Sequence, residues 1–472
     1  MSIQNYNFLS LLQTERHFEL LTIVALKKNL FLSVMEELLI YVQKKPARLR
    51  YVFRLVFKDL LRIPYRLLTD KDEFETANQP KMMYGEIAHG DGVFFGSCGL
   101  LFKRGIDSLD LEPLDYEGEK AFFPVYDKLS ILPFDVFASI FYLVSRYEEY
   151  LPFVRDNHGR FTAHLSVSAQ LGVLEKPLVN IWALLVKKKL QEKYPGLKFP
   201  DKKYKFIPTY DIDSAFAYAQ KGLVRSLGGY FISAKTLDWK SIAERTAVLF
   251  TGKRDPFNTF ARQIAYTKRY GLKPIYFILF GRYGQFDKNI NIRNRTFRFL
   301  IKRLSDYARI GIHPSYFSVE QPERINFEIS NLERVINKDV RCSRQHFLRL
   351  MLPNTYRNLI EEDITDDFSM GYAALPGFRA GICSPYNFYD LDLEVETKLR
   401  IHPFAVMDGT LRDYMDLTPT DAIEQIRVLI NEVKKVNGTF ISLWHNESLS
   451  DQKRWVGWRR VYEELLEMAV PD

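Results

Sequence analysis

The sequence contains few cysteines and no long uninterrupted hydrophobic run. Its three cysteines, Cys98, Cys342 and Cys383, are widely spaced and form no CxxC pair. This spacing excludes a disulfide framework and fits a reducing compartment. The longest apolar runs are far shorter than the roughly 20 residues that a membrane-spanning helix needs, so we expect no transmembrane segment.

A secretory signal, a basic block and internal repeats are also missing. Charged residues interrupt the early stretch "TERHFELLTIVALKKNLFLSVMEELLIYV", and no small-residue cleavage site follows it. We therefore expect a cytoplasmic protein. The 66 Lys and Arg residues are dispersed among 58 acids and give a net charge of +8. This pattern predicts a solvated surface and no nucleic-acid partner. It leaves a modest attraction to anionic partners such as nucleotide-linked sugars or membrane surfaces.

The length of 472 residues predicts at least two domains, because one compact core rarely grows that large. Residues 1–35 are interpreted as an N-terminal extension, since a second methionine, Met35, precedes the first clear strand–turn–helix pattern. Residues 36–198 are predicted to form an N-terminal α/β domain, and the polar, proline-bearing stretch "LKFPDKKYKF" is the predicted interdomain linker. Residues 199–472 form the second predicted domain.

The second half alternates strand-like runs with helical patterns. Runs such as "KFIPTYDID", "KPIYFILF", "RIGIHPS", "GFRAGICS" and "GTFISLWHN" are separated by helical patterns such as "TPTDAIEQIRVLINEVKKVNG". This alternation predicts a parallel sheet. About seven repeats are enough to close a (β/α) barrel, and an open, doubly wound sheet is the alternative.

Acidic and imidazole side chains collect at the ends of these runs. Asp211 and Asp213 are two positions apart, so an extended strand presents them on the same side. His313, His346 and His445 lie in or at the end of later runs. Polar residues at the carboxyl ends of barrel strands are typical of a functional face. An Asp–His–His set is suited to a zinc-like divalent ion with an open coordination position.

Each of these signals also has a structural interpretation. A single histidine in a strand is more often a hydrogen-bonded structural residue, and Asp-x-Asp also occurs in loops and calcium sites. Arg379, in "GFRAG", either forms an ordinary salt bridge or holds a neighbouring catalytic acid in its charged form.

Five short motifs carry a resemblance to a known family. In chain order they read "TYDID", "IGIHPSY", "RQHFLR", "GFRAG" and "LWHN". This order resembles the NodB-homology polysaccharide deacetylases, carbohydrate esterase family 4. It is most similar to a bacterial subgroup with an N-terminal domain of unknown function, which "SRYEEYLPFVRDNHGRF" and "KPLVNIWALLVKKKL" resemble. The likeness covers roughly residues 36–470.

The resemblance implies a distorted (β/α) barrel of about seven strands and a metal-dependent hydrolase. The implied reaction removes N-acetyl groups from a sugar in a polysaccharide or its precursor, with Zn²⁺ as the expected ion. It implies Asp211 as the general base and Asp213 as a metal ligand. Arg379 would steady the base, His445 would be the general acid, and Asp408 would orient His445.

Two departures from the family pattern affect the metal site. The family's second motif has a second histidine ligand four residues after the first, but here Phe317 follows His313. The resemblance therefore implies His346 as the third ligand beside Asp213 and His313. Ile212 separates two aspartates that are adjacent in the family, so base and ligand could exchange roles.

Three aromatic residues are candidates for stacking on a sugar ring. Tyr316, Tyr386 and Trp444 lie close in sequence to the site residues, although a core role is equally compatible with each. Two other functions stay open. One is a glycosyltransferase that uses Asp-x-Asp to bind the metal of a nucleotide sugar, and the other is a non-catalytic carbohydrate-binding relic.

Overall fold

The computed structural model describes residues 36–471. The predicted extension, residues 1–35, lies outside the described residues. Contacts within the chain define two compact units. The first contains the described residues up to 102 together with 123–138 and 183–201, and the second contains 103–122, 139–182 and the described residues from 202 onward. The boundary expected between residues 198 and 199 stays a prediction.

The first unit contains a four-stranded parallel sheet. Its strands are β1 (Leu38–Tyr41), β2 (Tyr65–Leu68), β3 (Lys81–Gly85) and β4 (Val93–Gly96), in the order β2-β1-β3-β4. The inner strands are buried along nearly their whole length, as continuous apolar runs such as "LLIY" predict for a parallel sheet.

The second unit contains a small hairpin and a nine-stranded sheet. The hairpin consists of β5 (Pro113–Tyr116) and β6 (Glu119–Phe122). The strands of the large sheet are β7 (Lys205–Ile212), β8 (Ile275–Ile278), β9 (Arg309–Ile312), β10 (Cys342–Ser343), β11 (Asp366–Asp367), β12 (Tyr386–Asp390), β13 (Val395–Ile401), β14 (Val406–Met407) and β15 (Thr439–His445).

The large sheet has the order β12-β13-β11-β10-β9-β8-β7-β15-β14. Every pair is parallel except β12–β13 at one edge. The predicted parallel sheet is therefore confirmed. The pairing of the described strands does not close, so the barrel stays a prediction.

Helices connect the strands. They are α1 (Ala47–Phe53), α2 (Lys71–Thr76), α3 (Val136–Val144), α4 (Val167–Gln170), α5 (Leu178–Lys193), α6 (Leu223–Lys235), α7 (Trp239–Phe250), α8 (Phe260–Tyr270), α9 (Arg295–Ser305), α10 (Glu323–Ile336), α11 (Asn354–Glu361), α12 (Pro419–Lys435) and α13 (Trp458–Ala469), with π-helices at Arg54–Leu60 and Thr410–Tyr414. Capping fixes several starts: the side chain of Thr418 accepts a hydrogen bond from the Asp421 N–H, and Pro419 occupies the first turn of α12. No helix among residues 36–471 has the length and apolar character needed to cross a bilayer.

One predicted strand is a set of turns. The run "GFRAGICS", residues 377–384, contains Gly377 at φ 123° and Gly381 at φ 62°. A Cβ atom on Gly377 would lie 2.5 Å from the carbonyl oxygen of Leu174. The left-handed backbone and this close approach require glycine and break the extended conformation.

Candidate functional site

Three segments at one edge of the large sheet bring together the predicted metal ligands. Asp213 follows β7, His313 follows β9, and His346 lies three residues beyond β10. One ligand atom from each lies within 4.8 Å of the others. Nε2 of His313 is 3.3 Å from Oδ1 of Asp213, and Nε2 of His346 is 3.8 Å from Oδ2. Parallel strands place their carboxyl ends together, which explains the convergence.

Hydrogen bonds orient both imidazoles. Nδ1 of His313 bonds to the carbonyl oxygen of Arg344, and Nδ1 of His346 lies 2.9 Å from Oδ1 of Asp287. An N–H at Nδ1 leaves the lone pair of each Nε2 directed toward Asp213. Such outer partners are typical of metal-ligating histidines.

The donor set fits a divalent cation. Oδ1 of Asp213 is buried and has no hydrogen-bond partner among the described residues. A buried carboxylate oxygen without a partner is costly unless a cation neutralises it. One carboxylate and two imidazoles match the ligand preferences of Zn²⁺ and leave a coordination position open. The side chain of Phe317, by contrast, packs with Phe286 and Tyr316.

The segment around His346 is strained. Phe347 and Leu348, which follow it directly, have φ values of 58° and 54°. Consecutive left-handed residues other than glycine are unfavourable and are concentrated at functional sites. This turn brings the His346 ring within 5.0 Å of the His313 ring, between their centroids.

Asp211 is held by an arginine that the sequence analysis passed over. Nη1 of Arg344 donates to Oδ1 of Asp211 at 2.9 Å and to Oγ1 of Thr209 at 2.7 Å. Both Asp211 and Arg344 are buried. Oδ2 of Asp211 lies 3.7 Å from Nε2 of His313, next to the three candidate ligands.

His445 and Asp408 form a tight pair beside Asp211. The register of β15 against β7 sets His445 opposite Asp211. Nδ1 of His445 lies 2.7 Å from Oδ1 of Asp408, whose Oδ2 accepts the backbone N–H of His445. Nε2 of His445 lies 3.7 Å from Oδ2 of Asp213. Burial lowers the pKa of His445, but the Asp408 carboxylate raises it more strongly, so this pKa lies well above its ordinary value.

The electrostatics of the ligand group favour charged forms. Burial raises the pKa of Asp213, but the neighbouring imidazoles, led by His346, lower it by more, so the pKa lies below its ordinary value. Burial lowers the pKa of His313, but the carboxylates of Asp211 and Asp213 raise it by more. A metal ion needs the neutral imidazole, so protons and metal compete for His313.

Arg379 does not hold Asp211. Its Nε donates to Oε1 of Glu149 at 2.9 Å and its Nη2 to Oε2 at 2.5 Å. Arg146 also donates to Glu149, at 2.7 Å. The expected role of Arg379 beside the base is therefore corrected, and the contact belongs to Arg344. The turns around Gly377 direct Arg379 toward Glu149 instead.

The three aromatic candidates do not line the open cavity that lies over the candidate ligands. Tyr386 and Trp444 are buried, at 1% and 0% exposure, which leaves no ring face for a sugar. Because side chains alternate along β15, Leu443 and His445 face the cavity while Trp444 packs against Tyr462. These two are core residues, and the expectation that they bind a sugar is corrected. Tyr316 stacks on Phe286, and its hydroxyl bonds to Nδ1 of His158.

An open cavity of about 240 Å³ lies over the group. Asp211, Asp213 and the three histidines line one part of it. Charged, aromatic and apolar side chains line the rest: Arg160, Phe347, Met407, Tyr414, Glu447, Arg454 and Trp455. Aromatic rings beside polar groups are typical of ligand sites with a few fixed polar contacts.

Arg344 and Asp287 were missed for different reasons. Arg344 lies two positions before His346, in the quoted motif "RQHFLR", and that spacing was the available signal. Asp287 lies in the irregular segment after β8, where no periodic pattern marks it.

Comparisons with known proteins find one family model that matches part of the chain and several distantly similar solved structures. Residues 38–195, less than half of the chain, match a family described as being of unknown function, DUF7033. No curated protein matches the chain.

Similar solved structures include three from carbohydrate esterases and their relatives. A putative polysaccharide deacetylase from Mycobacterium smegmatis shares 14% identity over 57% of this chain and 87% of its own, with a TM-score of 0.38. The polysaccharide deacetylase Bc1974 from Bacillus cereus shares 11% identity over 56% of this chain and 86% of its own, with a TM-score of 0.28. A CE4 family pseudoenzyme from Bacillus anthracis shares 11% identity over 57% of this chain and 62% of its own, also with a TM-score of 0.28. At these identities and TM-scores, the likeness assigns no role to any residue of this chain.

Proposed function

We propose that this chain is a metal-dependent hydrolase that removes N-acetyl groups from a sugar of a polysaccharide or its precursor. The observation that carries the proposal is the arrangement around Asp213. Nε2 atoms of two imidazoles approach its carboxylate, and both rings are oriented by hydrogen bonds at Nδ1. A base and an acid candidate flank this group.

The proposed ligands are Asp213, His313 and His346. A divalent ion, with zinc favoured by the ligand types, supplies Lewis-acid chemistry there by polarising a carbonyl and lowering the pKa of water. The carbonyl of Arg344 and the carboxylate of Asp287 bind the two Nδ1 atoms and would leave both Nε2 atoms free to hold the ion.

Asp211 is the proposed general base. Arg344 binds its Oδ1, which leaves Oδ2 beside the ligand group and at the cavity. There Oδ2 takes the proton from the attacking water, whose oxygen bonds to the acetamide carbon. The buried guanidinium of Arg344 supplies a counter-charge to this carboxylate.

His445 is the proposed general acid. Asp408 fixes Nδ1 as a donor, and its carboxylate raises the pKa of the ring, which favours a proton on Nε2. That proton passes to the amine nitrogen as the carbon–nitrogen bond breaks, which gives acetate and a free amine.

Asp211→Asn tests the proposal. We expect the variant to bind one equivalent of zinc as the wild type does, and to lose at least about a hundredfold in acetate release from N-acetylated oligosaccharides. Asp213→Asn, in contrast, should lose both metal and activity. Unchanged acetate release by Asp211→Asn would contradict its role as the base.

The same preparation separates the two other functions. Release of a nucleoside diphosphate from a nucleotide sugar, without acetate, would indicate a glycosyltransferase. Failure of the wild type to retain stoichiometric metal would indicate a carbohydrate-binding relic.

A further inference from the structure

Two helices that follow Asp213 in the chain expose an unusual amount of apolar surface. Helices α6 and α7, which we call the helical hairpin, begin ten residues after Asp213. Phe231 is 72% exposed, Trp239 65% and Phe250 77%. The exposed apolar side chains of the hairpin are Leu223, Val224, Leu227, Phe231, Ile232, Leu237, Trp239 and Phe250.

The exposed side chains form a stripe on each helix. On α6, Val224, Leu227 and Phe231 follow one another at intervals of three and four residues. On α7, Trp239 and Phe250 lie on a face that continues through exposed positions 243 and 246. These intervals place residues on one side of a helix. Contiguous exposed apolar surface of this kind marks an interaction site.

Polar contacts join the two helices of the hairpin to each other and anchor them to the rest of their unit. The hydroxyl of Tyr230 pairs with Oγ1 of Thr246 at 2.8 Å, joining the two helices. Nη1 of Arg225 donates to the carbonyl of Asn289 at 2.8 Å, and Nζ of Lys453 donates to Oγ of Ser241. The apolar stripes therefore face outward on an anchored element, the reverse of the usual arrangement for a surface helix.

The hairpin segment is strongly basic. Residues 221–254 contain seven Lys and Arg residues and two acids, a net charge of +5. The whole chain carries +8, so most of its excess positive charge lies in these 34 residues. Lys235, Lys240 and Lys253 are exposed along the apolar stripes or at their ends.

We propose that the helical hairpin docks the protein on an anionic lipid membrane surface. Trp and Phe on one face with lysines at its border are the composition of helices that lie in the membrane interface. Anionic lipid head groups complement the +5 charge, and each lysine near the surface strengthens the attraction. The charge complementarity favours lipid over a second copy of the chain, which would bring two basic segments together.

A docked hairpin would be connected to the candidate metal site. Nη2 of Arg225 in α6 donates to the carbonyl of Lys288, adjacent to Asp287, which binds His346. The hairpin and the candidate metal site are therefore linked through one short loop.

Vesicle sedimentation of the full chain tests the proposal. We expect the wild type to pellet with vesicles of phosphatidylcholine and phosphatidylserine and to stay largely in the supernatant with phosphatidylcholine alone. Replacing Phe231, Trp239 and Phe250 together by Ser should weaken binding roughly a hundredfold or more. Neutralising Lys235 and Lys240 to Gln should weaken it about twentyfold.

Phe299→Ser is the matched control. Phe299 is 70% exposed on α9, in the same unit, and its replacement should leave vesicle binding unchanged. Wild-type protein that ignores both vesicle types would overturn the proposal. So would a dimer in light scattering that the triple variant converts to monomer without any vesicle binding. A photo-cross-link from position 231 to residues 1–35, again without vesicle binding, would assign the surface to that segment instead.

Discussion

The carboxylate of Asp287 offers a sharp test of the proposed metal centre. It is buried at 2% exposure, lies 2.9 Å from Nδ1 of His346, and accepts the backbone N–H of Tyr316 at 2.9 Å. Asp287→Asn keeps the shape and an accepting oxygen but removes the negative charge. Without that charge, the imidazole of His346 becomes a weaker donor to the metal.

The expected loss follows from this geometry. Outer carboxylate partners of metal-bound histidines typically contribute about 10- to 100-fold in affinity, or roughly 1.4–2.7 kcal/mol. Because Asp287 is buried and its contact with His346 is short, we expect a loss near the upper end. His346→Gln, which removes the ligand itself, should lose more.

Competition with a chromophoric zinc chelator at neutral pH measures this loss. Asp366→Asn is the matched control, because Asp366 lies 2.7 Å from Nε2 of His402 and makes the same kind of contact away from the candidate ligands. The control should bind zinc as the wild type does.

Wild-type zinc affinity in a natively folded Asp287→Asn variant would refute the reasoning about the outer shell. The same affinity in His346→Gln would remove His346 from the ligand set.

Three further predictions concern stability, measured as urea unfolding midpoints. Arg344→Met should cost about 3–5 kcal/mol by leaving the buried Asp211 charge unpaired, and adding Asp211→Asn should restore part of it; a purely additive pair would contradict the ion-pair explanation. Burial raises the pKa of Glu328 to about 7, so the protonated form is favoured in the fold, and stability should fall by roughly 3 kcal/mol as the pH rises from below 4.5 through 7. The Glu328→Gln variant should lose most of this pH dependence. The control Glu323→Gln, at an exposed position on the same helix, should keep it. An unchanged pH profile in Glu328→Gln would refute the role of Glu328. Gly311→Ala should destabilise by about 1–3 kcal/mol, since a Cβ would lie 2.7 Å from the Phe277 ring and 2.8 Å from a backbone oxygen; an unchanged midpoint would show that the strands can separate there.

Local patterns explain why three of the predicted site residues lie close together. Asp213 and His313 directly follow apolar strands, His346 lies three residues beyond the short strand β10, and the parallel order of these strands brings their carboxyl ends together. Their role as metal ligands stays a prediction. The contact of Asp408 with His445 also agrees with the expectation, although its role in orienting an acid stays a prediction.

Contacts between residues far apart in the chain could not be predicted from the sequence. Arg379 was expected beside Asp211, but its partner Glu149 lies 230 residues earlier, and no periodicity encodes that pairing. Arg344 lies in the motif "RQHFLR", from which only His346 was interpreted as a site residue. Trp444 was misjudged because neighbouring positions on a strand face opposite sides, so closeness in sequence to His445 placed it away from the cavity.

The buried pair of Glu149 and Arg379 limits how this chain can be divided in evolution or in the laboratory. A fragment cut at the polar stretch near residue 198 would carry Arg379 without Glu149, leaving two of its guanidinium contacts unmade inside the protein. The segment that contains Glu149 therefore has to be inherited together with the part of the chain after residue 198. Recombination that treats the region after residue 198 as an exchangeable cassette should yield insoluble chains unless residues 139–182 travel with it.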